Sequence, residues 1–113
     1  MHELSLALDV LGLVTNEAAK NKVKVIYEIQ IEIGKISGVE SDVFRTALEI
    51  SARNSILDKA RIIIINSPGK GKCMSCGLEF EVDDLLALCP ECQHQPSEIT
   101  GGRELKVLSM MAE

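Results

Sequence analysis

Four cysteines stand as two Cys-x-x-Cys pairs, Cys73-Met74-Ser75-Cys76 and Cys89-Pro90-Glu91-Cys92, with twelve residues between them. Each pair can hold one metal ion from a tight turn. Two such turns supply four thiolates, a closed tetrahedral shell for zinc. Backbone amides in such turns can point at the sulfurs and stabilise thiolate charge. A disulfide framework is the competing reading, and it depends on compartment. The N-terminus has no basic region followed by an apolar run, and Glu3 and Asp9 interrupt it, so no secretory signal is expected. A cytosolic chain keeps its thiols reduced, and paired Cys-x-x-Cys then reads as metal binding.

A catalytic zinc site normally keeps one coordination position open. Four thiolates leave none, which points to structural zinc and disfavours a zinc hydrolase. His94 stands two residues after Cys92. It is a candidate for exchange with a thiolate or for pH sensing, although a lone histidine beside such a site is more often simply exposed. Around these cysteines the apolar groups are Phe80, Val82, Leu85, Leu86 and Leu88, too few to hold a fold alone. Structural zinc supplies roughly 10–16 kcal/mol of apparent folding free energy in small fingers at neutral pH. The spacing resembles a zinc ribbon, and zinc ribbons often bind nucleic acid. Between Gly69 and Thr100, however, Lys70 and Lys72 face six acidic residues. Phosphate binding needs the opposite sign, and one phenylalanine makes no stacking platform. A nucleic-acid partner is not expected.

A second set of donors stands at Met1-His2-Glu3. Methionine before a bulky residue is usually retained, so the Met1 amine stays free. That amine, the backbone nitrogen of His2 and the His2 imidazole can chelate one ion in a plane. Planar nitrogen ligation favours Ni(II) or Cu(II) over zinc. The amine must lose a proton from a pKa near roughly 7.7–8.0, so binding weakens as pH falls. Glu3 and Glu40 are candidate further ligands. The competing readings are a disordered terminal histidine, a helix-terminal charge for Glu3 and a helix-entry charge for Glu40.

The elements that must position these groups are legible from periodicity. The chain has 113 residues and a formal net charge of −5, enough for one modest core or a small core with a metal-held module. No run of roughly 18 apolar residues is present, so no membrane span is expected. Residues 2–20 read as a helix with Leu4, Ala7, Leu8, Leu11 and Val14 on the inner stripe. Leu6, Val10 and Leu13 widen that stripe. Residues 23–33 alternate as a strand, with Val23, Val25, Tyr27, Ile29, Ile31 and Ile33 on the buried face and Ile26 as the exception. A second helix opens near Glu40 or Ser41, with Ser41 the better cap. Its inner stripe is Val43, Phe44, Ala47, Leu48 and Ser51. Ile62–Ile65 reads as a second strand, and residues 103–111 as a returning one with Leu105 and Val107 on one face.

The expected fold class is α+β: a small three-stranded mixed sheet with two helices, plus an inserted zinc-ribbon-like module. The corresponding division is 1–68 with 103–113 as one domain and 69–102 as the zinc domain. Both junctions contain glycine, which suggests hinge freedom between the two.

Taken together, the two donor sets resemble the HypA/HybF family of hydrogenase nickel-incorporation proteins. The resemblance covers essentially the whole chain. It is carried by Met1-His2-Glu3-Leu4-Ser5, by Ile33-Gly34-Lys35-Ile36-Ser37-Gly38-Val39-Glu40, by the four cysteines and by Glu104-Leu105-Lys106-Val107-Leu108-Ser109. It implies a non-enzymatic nickel metallochaperone for [NiFe]-hydrogenase maturation, with Ni(II) as transient cargo and Zn(II) as a structural ion. It further implies a nickel GTPase of the HypB type and the hydrogenase large subunit as partners, a cytoplasmic location, and a monomer or homodimer. His2 maps onto the family's nickel ligand, Glu3 onto the neighbouring carboxylate, and Glu40 onto an acidic position of the nickel site in some members. Cys73, Cys76, Cys89 and Cys92 map onto the zinc ligands. Some members carry a histidine directly after a Cys-x-x-Cys pair, where this chain has Gly77 and Gln93. The alternative reading is a zinc-stabilised protein-interaction module with no nickel site of its own. No P-loop pattern is present, so nucleotide hydrolysis is expected from a partner.

Overall fold

A computed structural model describes residues 2–84, 87–94 and 98–113, with His2 described by its backbone alone. The first helix, α1, spans His2–Lys20. Its buried side is Ala7, Val10, Val14 and Ala18, one residue per turn, flanked by Leu6 and Leu11. Leu4 and Leu8, expected inside, are 44% and 52% exposed, and Leu13 is exposed as well. The helix approaches its neighbours through the small residues Ala7 and Ala18, so the buried stripe is narrower than the leucine pattern suggests. At the C-terminus Val23 N–H donates to Ala18 and Lys22 N–H to Ala19, with Lys22 at φ +55. That is a Schellman closure, and Val23 packs back on the core.

The central strand β1, Ile26–Gly34, pairs parallel with β2, Arg61–Ser67, and antiparallel with β6, Leu105–Ala112. The strand order is β2-β1-β6, a mixed three-stranded sheet. The helix α2, Ser41–Ser51, makes the crossover between the parallel strands. Ile29, Ile31 and Ile33 of β1 are fully buried among α1 and the α2 residues Phe44 and Leu48.

Two bulges set which residues face inward. Ile26 pairs with Ala112 and Glu28 with Met111, so Tyr27 is the extra residue on β1. One extra residue reverses the alternation, which is why Ile26 is buried while Val25 and Tyr27 are exposed, the opposite of the simple period-two reading. The Tyr27 hydroxyl instead donates to the Glu113 carboxylate. On β6 the extra residue is Leu108, and Leu105, Val107 and Met110 share the inner face across it. Among the described residues no helix is long and apolar enough to cross a membrane.

A second, antiparallel sheet has the order β4-β3-β5, from Gly69–Lys72 (β3), Glu79–Val82 (β4) and Glu98–Gly101 (β5). It meets the first sheet where the chain crosses twice between them. There Gly34, Gly69 and Gly102 lie backbone against backbone. A Cβ on Gly34 would overlap the Gly102 carbonyl, and one on Gly102, at φ +97, would overlap Gly69. These glycines serve close approach rather than hinge motion. Ile36 N–H donates to the Gly102 carbonyl at 2.9 Å, and Gly34 N–H to that of Glu104 at 2.7 Å. The Glu104 carboxylate accepts from Gly102 N–H at 2.9 Å and from Ser67 Oγ at 3.2 Å, tying both crossings together.

Candidate metal centres

The end of β3 delivers Cys73 into a turn in which Gly77 N–H donates to the Cys73 carbonyl at 2.7 Å and Cys73 N–H to that of Leu78 at 2.9 Å. The second pair repeats this pattern. Gln93 N–H donates to the Cys89 carbonyl at 2.9 Å and Cys89 N–H to that of His94 at 2.6 Å. The residue after each second cysteine has a left-handed backbone, Gly77 at φ +76 and Gln93 at φ +66. Glycine adopts this freely and glutamine at a cost. The position directly after each second cysteine is therefore one where the turn itself sets demands.

The two turns bring all four sulfurs within 4.8 Å of one another. Cys73 and Cys92 are 3.2 Å apart, and Cys76 and Cys89 are 3.6 Å apart. A disulfide would need about 2.05 Å. A tetrahedral zinc–thiolate shell with bonds of about 2.3 Å has sulfur–sulfur edges near 3.8 Å, close to what these turns hold ready. Cys73 and Cys89 are buried, Cys92 is half-buried and Cys76 is exposed.

Charge explains what the cluster needs. The Cys76 amide, then the Cys92 thiol, pull the Cys73 pKa down to about 6. Cys92 receives the His94 amide, which lowers it, yet its contact with Cys73 and its desolvation push it up to about 12. Cys76 is raised too: the Leu78 amide is outweighed by desolvation and the neighbouring sulfurs. The Cys73 thiolate forms readily, whereas Cys76 and Cys92 resist ionisation. A thiophilic dication removes that conflict, and four sulfur donors fit zinc. The ring of His94 lies outside this donor set, exposed, with Nδ1 3.3 Å from Cys92 Sγ. Leu85 and Leu86, expected in this module's small core, lie outside the described residues, whereas Val82 is buried.

At the other candidate centre, Met1 and the His2 imidazole also lie outside the described residues. What is placed is the frame around them: α1 begins at His2, and Glu3 Oε2 accepts the Glu40 N–H at 3.1 Å. Glu40, not Ser41, is the N-cap of α2, and its own side chain makes no capping bond. Ser41 is the first helical residue, and its Oγ donates to Asn66 Oδ1 at 2.7 Å. A carboxylate of one helix thus serves the entry of the other, where the positive ends of two helix dipoles meet. The sequence grouped Glu3 and Glu40 as candidate ligands of one ion, but nothing local signals the bond between residues 37 apart.

Residues 1–112 match the family model described as hydrogenase/urease nickel incorporation, metallochaperone, hypA. The hydrogenase maturation factor HypA of Parabacteroides distasonis is 38% identical over 111 residues, covering 98% of this chain and 96% of its own length. That of Geobacter metallireducens is 34% identical over 113 residues, with both chains covered completely. The solution structure of the Ni metallochaperone HypA from Helicobacter pylori superposes with a TM-score of 0.70 at 25% identity, over 97% of this chain and 96% of that one.

Proposed function

Because the chain belongs to the HypA family of hydrogenase/urease nickel-incorporation metallochaperones, maturation factors rather than enzymes, we propose that it takes up Ni(II) at its own N-terminus. The Met1 amine and the His2 backbone nitrogen and imidazole are the donors, with Glu3 and Glu40 as adjoining acidic groups. The protein then passes nickel to the large subunit of [NiFe]-hydrogenase, working in the cytoplasm with a nickel GTPase of the HypB type.

The contact between Glu3 and the Glu40 amide carries this reading. It anchors the first turn of α1 and holds Glu3 and Glu40 together at the start of the two helices. A terminal chelate is open to a partner, and protonation or a competing ligand can displace the ion from it. Those are the properties of a carrier rather than a store. Zinc held by Cys73, Cys76, Cys89 and Cys92 would supply folding free energy and no chemistry, because its shell is closed.

The test is a nickel titration of untagged, zinc-loaded protein beside His2→Ala and beside a form with one extra N-terminal glycine. Calorimetry and visible absorption are the readouts. A square-planar d–d band lost in both variants is the expected result. Equal binding by all three would move the ion elsewhere. No binding by any would favour a zinc-shaped docking module with no nickel site.

A further inference from the structure

Three of the chain's four arginines, Arg45, Arg53 and Arg61, line a single cleft. This is unexpected in a chain with a net charge of −5. The cleft, with a volume of about 620 Å³, lies where the end of α2 leads round to β2, and Glu49 and Asp58 complete its charged wall. Arg45 is half-buried, and its Nη1 donates to the Ile62 carbonyl at 2.6 Å, so its guanidinium is fixed between helix and strand. Arg53 and Arg61 are exposed. Among the described residues no ion pair ties either of them to Glu49 or Asp58. The negative end of α2 accounts for a basic residue near its last carbonyls. It does not account for three arginines lining one cleft there, one of them the first residue of a strand.

We propose that this cleft is a docking site for an acidic segment of a partner protein, with side-chain carboxylates held by Arg53 and Arg61 and oriented by the fixed Arg45. The planar guanidinium fork matches a carboxylate in two parallel hydrogen bonds. Glu49 and Asp58 leave the cleft with only one excess positive charge. That suits single negative charges spaced along a peptide and works against a compact phosphate dianion. Arg53 lies beyond the opposite end of α2 from Glu40, about 16 Å away for an eleven-residue helix, while Arg45 stands within the helix. The proposal does not rest on the nickel reading.

The experiment uses full-length, zinc-loaded protein labelled at arginine, with the Nε–Hε signals followed by NMR. Capped hexaglutamate is the probe, and hexaglutamine and tripolyphosphate are the comparisons. Saturable shifts at Arg53 and Arg61 with hexaglutamate, absent with hexaglutamine, are expected. Arg53→Gln with Arg61→Gln should weaken binding by about tenfold or more, the scale of losing charge-assisted hydrogen bonds. Glu49→Gln with Asp58→Asn should tighten it, an opposite change that survives if the arginine variant folds poorly. Unsaturable or absent shifts would overturn the proposal, as would equal affinity in the arginine variant. Tighter binding of tripolyphosphate than of hexaglutamate would also overturn it and assign the cleft to phosphate.

Discussion

Glu3 and Glu40 meet through a backbone amide: the Glu3 carboxylate accepts the N–H of the N-cap Glu40 at 3.1 Å, a donor that in a capping box is met from within the same helix and here is met from another. The contact ties the first turn of α1 to the start of α2 and makes the Glu3 carboxylate a structural group as well as a candidate ligand.

Glu3→Ala should therefore destabilise the protein by about 1 kcal/mol, the usual worth of a helix-capping bond. Glu3→Gln retains an acceptor oxygen and should lose less. Urea unfolding of the zinc-loaded proteins distinguishes them, and an alanine variant as stable as the parent would show that the bond contributes nothing.

Removing zinc should unfold residues 69–102 while leaving α1 and the β2-β1-β6 sheet in place. The second sheet has short strands, and among the described residues its buried side chains are few: Val82 beside Cys73 and Cys89. Amide NMR spectra before and after chelation report this directly. Unchanged dispersion for the residues of β3, β4 and β5 would count against a metal-held module.

Gln93 stands at φ +66 where the matching turn has Gly77. Gln93→Gly should relieve about 1 kcal/mol of backbone strain. Gly77→Gln should impose a similar amount. Competition against a chelator reads both as changes in apparent zinc affinity, roughly fivefold in opposite directions. Changes of the same sign in both would separate the effect from backbone conformation.

Glu104 links the two crossings between sheets, and its pKa is held below the usual carboxylate value. The bond to its own amide contributes most, followed, against desolvation, by the Gly102 amide and the Ser67 hydroxyl. A carboxyl with a depressed folded-state pKa stabilises the fold above its unfolded pKa near about 4.3, and that stabilisation is lost as pH falls through the folded value. Glu104→Gln should thus be less stable than the parent at neutral pH, and the gap should close as the solution is acidified. Comparing the two proteins at each pH cancels the acid loss of zinc common to both. Parallel stability curves would refute the assignment.

Much of the site was legible because its information is local. Two Cys-x-x-Cys turns specify four sulfur donors by spacing alone, since each turn closes within a few residues on its own backbone bonds. The long amphipathic α1 and the β-branched run of β2 were readable for the same reason. The facing at the start of β1 was not, although Ile29, Ile31 and Ile33 and, on β6, Leu105 and Val107 do face inward as the alternation predicts. Tyr27 and Leu108 are each extra in one strand only relative to its partner, and a one-residue bulge inverts the alternation that periodicity relies on. The junction glycines Gly69 and Gly102 read as hinges, and only packing placed them backbone to backbone, with Gly34 against Gly102. Likewise the convergence of Arg45, Arg53 and Arg61 on one cleft, and of Glu3 on the Glu40 amide, depends on how α2 is laid between α1 and the sheet. The sequence by itself determined which donors are present and the turns that gather the cysteines. Only the tertiary structure decided which distant residues share a surface, because those contacts follow from the packing of whole elements and leave no mark in local spacing.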